Sequence, residues 1–360
     1  MDLDFKKLYD VFCIPSTDYS VERVQHGHIN NTFLVTSGGR SVYILQQVNT
    51  GIFSNIDQLM ANYRLVSETL SGYKWPSGFH LTIPELIITK EGKTFYSGKS
   101  NTCWRLITFI DGADCSAVPR NTETAYQGGL AFGTFLTGLS EIDHNSLHQI
   151  LPDFHSMNRR YGDFLSILQS DPAGRKSLSE EEIRFVTSRH LSLMEIPDCL
   201  DSGEIPLRVV HNDTKLSNVI FSGDGTYKGV IDLDTVMAGS ALFDFGDAIR
   251  SCANAACEDE PDLTKVKFEI GLFDAFSKGY LESTGSLLLK KEIDLLPESA
   301  LLMTYMIGLR FLTDYLDGDK YFHTDYESHN MVRARVQFRL LRQMELNLNE
   351  MHTIIENHRR

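Results

Sequence analysis

Apolar and polar residues alternate in short runs over the first hundred residues, which is the period-two pattern of half-buried strands. These runs cover residues 21–24, 32–36, 42–45, 84–89 and 103–110. The two glycines at residues 38 and 39 predict a hairpin turn. Between the runs, apolar residues recur at helical spacing from Ile56 to Leu70, with Ser54 or Asn55 as the N-cap. The pattern predicts a small antiparallel sheet carrying one helix.

Helical spacing dominates after residue 112. It predicts helices over residues 125–139, 158–168 and 179–194, a return to strands between 209 and 234, and helices from there to Arg360. We therefore predict an α+β chain of two lobes. Residues 1–108 form a β-rich lobe, 109–112 a hinge, and 113–360 a larger, mostly helical lobe with an embedded β-hairpin. A cleft between two lobes is the usual place for a ligand.

Composition excludes several classes of protein. Lys and Arg total 34 and Asp and Glu 48, so the net charge of −14 disfavours nucleic acid as the main partner. The six cysteines show neither disulfide-framework nor zinc-ligand spacing, which favours reduced thiols. The most apolar stretch, residues 300–316, is interrupted by Arg310 and Asp314 and is shorter than the ~20 residues of a membrane helix. The N-terminus lacks signal-peptide features, so we expect a cytoplasmic protein without a membrane partner.

Chemistry-bearing side chains concentrate between residues 209 and 234. Two strand-like runs flank a turn near Gly225, and Asn218 and Asp232 lie seven residues on either side of it. An antiparallel hairpin brings these two residues to the same open end. Asp213 lies five residues before Asn218, on the loop that enters the hairpin. One amide oxygen and two carboxylates therefore converge on one point.

This combination suits phosphoryl transfer. A carboxylate, Asp213, accepts the proton of an attacking hydroxyl, while Asn218 and Asp232 hold the Mg²⁺ that bridges nucleotide phosphates. Lys215 reaches the γ-phosphate and stabilises charge in the transition state. Each residue alone is explained as well by a polar hairpin, and only the combination favours catalysis.

The string at residues 211–218 has the form HxDxxxxN, and an apolar strand ending in Ile-Asp follows it. It resembles the kinase-like small-molecule phosphotransferases, which include aminoglycoside, choline and homoserine kinases. Together with residues 231–235, 242–247, 27–30 and 321–335, it is more specifically similar to the N-acetylhexosamine 1-kinases. The resemblance implies a bilobed protein-kinase-like fold and ATP- and Mg²⁺-dependent phosphorylation of a free N-acetylhexosamine at its anomeric C1 hydroxyl. We expect a monomer or weak oligomer.

The resemblance also implies roles for individual residues. Asp213 matches the catalytic base, Asn218 and Asp232 the metal ligands, Asp234 an additional or indirect ligand, and Asp244 a brace behind the catalytic loop. His211 supports that loop. The nucleotide contacts come from a turn over the phosphates and from hinge backbone that pairs with adenine: Gly27, His28, Asn30, Phe109 and Ile110.

The acceptor pocket is predicted from residues 305–326, which hold six aromatic side chains where the chain average gives about two. Sugar rings pack their C–H faces on aromatic rings, although core packing explains such a cluster equally well. Arg310 either pairs with Asp314 one helical turn on or faces the cleft. The candidate acceptor contacts are His28, Asp213, Arg310 and Tyr315.

One departure from the kinase pattern concerns Gln46. Kinases of this fold place a Lys or Arg near the end of the third strand to hold phosphates, whereas Gln46 and Gln47 stand here. Either Lys215, Mg²⁺ or a basic residue elsewhere compensates for the missing positive charge, or nucleotide binding is weak. In kinases this basic residue pairs with a glutamate on the neighbouring helix, and Glu68 is only a candidate for that helix carboxylate. The alternatives are a kinase of choline, homoserine or an aminoglycoside, and a catalytically silent pseudokinase.

Overall fold

The computed structural model of the chain describes residues 5–14, 19–24, 29–98, 102–112 and 120–359. Within these ranges the strands are β1 Tyr19–Arg23, β2 Asn31–Ser37, β3 Arg40–Val48, β4 Tyr96–Ser97, β5 Cys103–Thr108, β6 Arg208–Val210, β7 Val219–Phe221, β8 Tyr227–Val230 and β9 Met237–Gly239. The helices are α1 Phe5–Val11, α2 Ile56–Gly72, α3 Thr122–Leu139, α4 Met157–Ser170, α5 Glu180–Arg189, α6 Glu195–Ser202, α7 Ala241–Cys252, α8 Ile270–Thr284, α9 Lys290–Asp294, α10 Leu296–Leu316 and α11 His329–His358.

The N-terminal sheet has five antiparallel strands in the order β1-β2-β3-β5-β4. Gly38 and Gly39 link β2 to β3 with φ of +54° and +76°, a backbone conformation that glycine adopts without strain. The predicted hairpin is confirmed. Helix α2 begins after Asn55, whose side chain accepts a hydrogen bond from the N–H of Gln58 at 3.1 Å. That helix and its cap are confirmed as well.

The strand predicted over residues 84–89 is wrong. This segment touches β5 through a single bridge between Leu86 and Ile107 and through two backbone hydrogen bonds, which join Ile87 to Leu106 and Thr108 to Glu85. Pro84 has no N–H to extend the ladder. The segment therefore lies along the edge of β5 without becoming a strand.

The C-terminal half is mostly helical and contains the predicted β7–β8 hairpin, with Gly225 at its turn and a φ of +86°. A second pair of strands, β6 and β9, lies before and after the hairpin in sequence and joins the two ends of this region. Helix α10 is buried along most of its length between α4, α7 and α11. In the described part of the chain, no helix is long and apolar enough to span a membrane.

Helices α3 and α8 pack with their backbones in direct contact. A Cβ atom on Gly129 would lie 2.1 Å from the carbonyl oxygen of Phe276, and one on Gly279 would lie 2.2 Å from that of Tyr126. Any side chain at either position would therefore collide with main chain. Through α3, this pair of helices supports the loop at residues 211–218, because Phe132 and Phe135 flank the ring of His211.

Candidate active site

The loop after β6 carries the HxDxxxxN residues and is held from behind by Asp244 on α7. The Asp244 carboxylate accepts hydrogen bonds from the backbone N–H groups of His211 at 2.8 Å and Asn212 at 2.7 Å. Asn212 has a φ of +63°, and its side chain donates to the carbonyl of Thr235 at 3.0 Å. These bonds offset the cost of an uncommon backbone conformation. Asp244 thus occupies the bracing position that the sequence predicted.

His211 lies behind the loop and is fully buried. Its Nε2 is 2.9 Å from the carbonyl oxygen of Ile231, and its Nδ1 accepts a hydrogen bond from the backbone N–H of Asp213 at 3.3 Å. Both ring nitrogens are therefore used to hold backbone. The supporting role predicted for this histidine agrees with these contacts.

Three of the predicted catalytic and metal-binding residues are in direct contact. Lys215 Nζ lies 3.1 Å from Asp213 Oδ2, and Asn218 Nδ2 donates to the backbone carbonyl of Asp213 at 2.8 Å. The amide nitrogen of Asn218 therefore faces Asp213, which leaves its Oδ1 for a cation. Burial opposes ionisation of Asp213, but the ammonium group of Lys215 outweighs it, so the pKa of this carboxyl lies below its ordinary value.

Asp232 lies at the open end of the hairpin, as predicted. The N–H of Ile231 donates to the carbonyl of Asn218 at 2.9 Å, so Asp232 follows one residue beyond that pair, with a φ of +66°. Burial, with the nearby carboxylates of Asp234 and Asp213, raises the pKa of Asp232 to about 7. A divalent cation here would relieve this repulsion.

The donors at this point are oxygens only, which suits a hard cation such as Mg²⁺. In the described part of the chain, no group of three or more His, Cys, Asp or Glu side chains forms a closed metal site. Asn218 and Asp232 would therefore supply two ligands, and nucleotide phosphate and water the rest. This is the usual way in which Mg²⁺ is held in phosphoryl-transfer enzymes.

Asp234 is held by Arg105. Its carboxylate forms a bidentate ion pair with Arg105 of β5, and both side chains are almost completely buried. Arg105 also donates from Nε and Nη2 to the amide oxygen of Gln46, at 2.9 and 2.7 Å. Of the two roles predicted for Asp234, these contacts favour the indirect one, because both carboxylate oxygens already accept hydrogen bonds from Arg105. Sequence reasoning missed Arg105, although it lies directly opposite Gln46 in the β3–β5 register.

The assignment of Glu68 as the helix carboxylate is wrong. Glu68 forms an exposed pair with Arg64 at 2.7 Å on the outer face of the helix. The residue that α2 brings to Arg105 is Tyr63, whose ring centroid lies 4.9 Å from the guanidinium carbon. An aromatic face therefore stands where a helix carboxylate was expected.

Only some of the predicted nucleotide-contacting residues lie in the part of the chain that the structure describes. Gly27 and His28 lie outside the described residues. Asn30 is buried, and its amide nitrogen donates to Asp234 Oδ2 at 2.8 Å, so it lies beside the metal-ligand segment.

In the connector, the N–H of Phe109 donates to the carbonyl of Val42 at 3.1 Å, so it is not free for adenine. Within the described residues, the N–H of Ile110 has no such backbone partner. Adenine pairing at Ile110 stays a prediction.

Arg310 faces a cavity of about 300 Å³ instead of pairing with Asp314. Its guanidinium carbon lies 5.3, 5.4 and 5.7 Å from the ring centroids of Phe154, Phe322 and Tyr321. Asp314 instead accepts from the backbone N–H groups of residues 320, 321 and 322 at 3.0, 2.8 and 2.9 Å. The predicted pair of Arg310 with Asp314 is thereby excluded, and contact of Arg310 with an acceptor stays a prediction.

Tyr315 is not part of this cavity. It is buried with the guanidinium of Arg175 stacked 4.4 Å from its ring centroid. Five residues along a helix rotate a side chain by about 140° from Arg310, onto another face. The structure thus separates Tyr315 from the other acceptor candidates. Tyr321, which belonged to the same aromatic cluster, lines the cavity instead.

The wall of this cavity carries charges of both signs, with three aspartates and two arginines. Arg160 lines it together with Arg310, and neither forms an ion pair with a carboxylate among the described residues. Burial and the nearby Arg310 lower the pKa of Arg160 to about 10. The other acidic side chains on the wall are already paired: Asp163 with Arg159 at 3.0 Å, and Asp317 with Lys320 at 2.7 Å.

The catalytic loop and this cavity are linked through His155. Its Nε2 lies 3.1 Å from the carbonyl oxygen of Asn212, the residue before Asp213. The ring of the preceding residue, Phe154, faces Arg310. Residues 154 and 155 therefore connect the loop that carries Asp213 to the helix that carries Arg310.

Comparison with known proteins identifies the class of this site. The sequence model of a family described as the phosphotransferase enzyme family matches residues 20–281. The chain belongs to this family. It is a small-molecule kinase, and the α+β kinase-like fold and the phosphotransferase activity predicted from the HxDxxxxN string are confirmed.

Solved structures of several kinases share the fold at low sequence identity. A microcompartment-associated aminopropanol kinase is 15% identical, with a TM-score of 0.66 over 96% of this chain and 97% of that one. An amicoumacin kinase, solved with AMP-PNP and Ca²⁺, is 14% identical, with a TM-score of 0.61 over 94% and 92%. A choline kinase from Cryptosporidium parvum is 14% identical, with a TM-score of 0.60 over the same shares. Such identities show the fold and leave the acceptor open.

Proposed function

We propose that this kinase transfers the γ-phosphoryl group of ATP to the anomeric C1 hydroxyl of a free N-acetylhexosamine, with Mg²⁺ as the metal. The observation that carries the proposal is the cavity at Arg310, where guanidinium groups and aromatic rings meet without a free carboxylate. The similarity of the HxDxxxxN region and of residues 321–335 to N-acetylhexosamine 1-kinases supports the same substrate.

In this mechanism, the chain's own residues position the two substrates. Asp213 accepts or orients the proton of the C1 hydroxyl, and Lys215 stabilises negative charge on the group in transfer. Asn218 Oδ1 and the Asp232 carboxylate would hold the metal, which neutralises the phosphate oxygens when bound. Most of the rate enhancement then comes from positioning and electrostatics, and the protein forms no covalent intermediate.

The contacts of the charged groups around the cavity favour an uncharged acceptor. Choline, aminopropanol and the aminoglycosides carry cationic amines, to which the two guanidinium groups offer no acceptor. The three aspartates of the wall are already bound by Arg159, by Lys320 or by backbone N–H groups. An N-acetylhexosamine instead offers hydroxyl and acetamido oxygens to the arginine N–H groups, and its C–H faces to the rings of Phe322 and Tyr321. Homoserine is the second candidate, because its carboxylate would also bind between Arg160 and Arg310.

An acceptor panel tests this proposal directly. ADP release would be measured with Mg·ATP and GlcNAc, GalNAc, glucose, choline, homoserine or kanamycin, and the product identified by phosphorus NMR. We expect turnover with the N-acetylhexosamines and a sugar 1-phosphate signal. Turnover with choline or kanamycin alone would overturn the sugar assignment, and turnover with homoserine alone would establish the second candidate.

A pair of variants links the panel to the cavity. Arg310→Gln removes the guanidinium, and we expect KM for the sugar to rise at least tenfold while KM for ATP changes little. The control is Arg342→Gln, because Arg342 also lies over an aromatic ring, that of Phe185 at 5.0 Å, but on the outer surface of α11. Equal effects of the two substitutions would contradict the placement of the sugar beside Arg310.

A further inference from the structure

The buried cation of the nucleotide-binding sheet is Arg105 on β5. We propose that Arg105 is a positioning residue for Mg·ATP, which acts through its ion pair with Asp234 and replaces the Lys absent from position 46. The proposal rests on the kinase activity of the proposed function and is independent of the acceptor. Arg105 is only 1% exposed, so it does not act by contacting phosphate from the surface of the cleft.

The contacts of Arg105 within the sheet explain why the residue at position 46 is neutral. The amide oxygen of Gln46 accepts from Arg105 Nε and Nη2, while its amide nitrogen donates to Thr32 Oγ1 at 3.2 Å. The aromatic ring of Tyr63 covers another side of the guanidinium. A glutamine supplies the acceptor that a buried guanidinium requires, whereas a lysine would add a second positive charge.

Arg105 also binds the segment that carries Asp232, the predicted metal ligand. One oxygen of Asp234 binds Arg105 Nη1, and the other accepts from Arg105 Nη2 at 2.9 Å. Asp234 lies in the short turn Leu233–Thr235, directly after Asp232 and Leu233 in sequence. Because a bidentate pair fixes both distance and orientation, Arg105 sets where this turn and the Asp232 carboxylate lie relative to the sheet.

The same carboxylate also fixes the start of β2. Asn30 donates to Asp234 Oδ2 at 2.8 Å, and its amide oxygen accepts from the N–H of Asn49 at 3.0 Å. Asn49 in turn donates to the carbonyl of Ile29 at 3.3 Å. Asp234 is therefore the common partner of β5, the metal-ligand turn and the chain that enters β2. A displaced Asp234 would misplace all three.

This network differs from the pairing of a strand lysine with a helix glutamate in protein kinases. Here the anion comes from the segment beside Asp232, and α2 contributes only the ring of Tyr63. The ion pair therefore joins the sheet to the metal-ligand segment directly. Nucleotide binding then depends on Arg105 without a carboxylate from α2.

The first test uses Arg105→Lys, which keeps the charge and removes the bidentate geometry. Binding of Mg·AMP-PNP would be measured by isothermal titration calorimetry without acceptor. We expect the Kd to rise at least tenfold, and the Mg²⁺ concentration for half-maximal activity to rise with it. The control is Arg208→Lys, because Arg208 also forms a bidentate pair, with the buried Glu292 at 2.8 and 2.7 Å. We expect a lower Tm in this control and a Kd within twofold of the wild type.

A second variant separates positioning from folding. Replacing both partners, Arg105→Met with Asp234→Leu, exchanges a buried ion pair for apolar side chains, a change that often leaves stability intact. We expect this folded double variant to lose at least tenfold in affinity for Mg·AMP-PNP. Unchanged affinity in either Arg105 variant, or an equal loss in the Arg208 control, would overturn the proposal. A wrong acceptor assignment would leave these binding results untouched.

Discussion

Gln46 and Arg105 face each other across the β3–β5 ladder, and the amide oxygen of Gln46 accepts two hydrogen bonds from the guanidinium, at 2.9 and 2.7 Å. The residue that departs from the kinase pattern is therefore the partner of the residue that compensates for it. Restoring the expected lysine alone should then be harmful.

We predict that Gln46→Lys destabilises the protein by about 3 kcal/mol, because two buried cations would share one carboxylate, Asp234. KM for ATP should rise and not fall. The checks are the Tm and the steady-state KM. Gln47→Lys is the matched control, since the next side chain along a strand points to the other face of the sheet. A lower KM for ATP in Gln46→Lys would contradict the role given to Arg105.

We expect Asp213→Asn to reduce kcat by about 10²- to 10⁴-fold, the range that a positioned general base contributes. The Tm should stay within about 4 °C, since the half-buried Asp213 side chain keeps 23% of its surface exposed and asparagine has nearly the same size. Asp224→Asn at the opposite, exposed end of the same hairpin is the control, and its kcat should be unchanged. Near-normal turnover in Asp213→Asn would remove Asp213 from the proton transfer.

Asp314 should control the acceptor side without affecting the nucleotide side. Its carboxylate fixes the backbone of residues 320–322, which places Tyr321 and Phe322 on the cavity wall. We predict that Asp314→Asn costs about 2 kcal/mol of stability and raises KM for the acceptor more than KM for ATP.

The steady-state constants for both substrates would check this difference. Asp143→Asn is the control, because Asp143 also accepts from a backbone N–H group, that of Asn145 at 3.0 Å, but on an exposed turn. If both KM values rose equally in Asp314→Asn, the effect would be global and not specific to the cavity.

His155 should make the protein sensitive to acid. Burial, together with the nearby Arg310 and Arg160 and despite Asp247, lowers the pKa of His155 to about 4. The unfolded chain takes up this proton near the ordinary value of about 6.5, so the stability contribution is fully present above that pH and is lost as the pH falls towards 4. The full difference corresponds to about 3 kcal/mol.

His155→Gln should therefore show a weaker fall in Tm between pH 6.5 and 4 than the wild type. The exposed His323→Gln is the control and should follow the wild type. Parallel Tm curves for His155→Gln and the wild type would show that this histidine is not the acid-sensitive group.

The sequence predicted what depends on neighbours in the chain. The cap of α2 at Asn55, the glycine hairpin between β2 and β3, and the convergence of Asn218 with Asp232 all follow from short-range rules of turn and register. The acceptor side was harder to predict, because Arg310 and Tyr315 lie on one helix and only tertiary packing decides which face meets the cavity.

Arg105 could not be recognised from the sequence for a related reason. Its ion-pair partner Asp234 lies 129 residues away, and its hydrogen-bond partner Gln46 lies 59 residues away. Neither separation corresponds to the period of a helix or a strand, so no sequence pattern links these residues. The available signal was the combination of an arginine inside an otherwise apolar strand with an unexpected glutamine in a neighbouring one, since a buried guanidinium requires both an anion and an acceptor.

The backbone contact between α3 and α8 limits how this sequence can vary. At Gly129 and Gly279, the atoms that an added methyl group would meet belong to the main chain, and no substitution elsewhere removes a carbonyl oxygen. A saturation library screened for folded kinase should therefore return only glycine at both positions. For engineering, α3 and α8 should therefore be left unchanged, and a library of variants should be directed at the residues that line the cavity at Arg310.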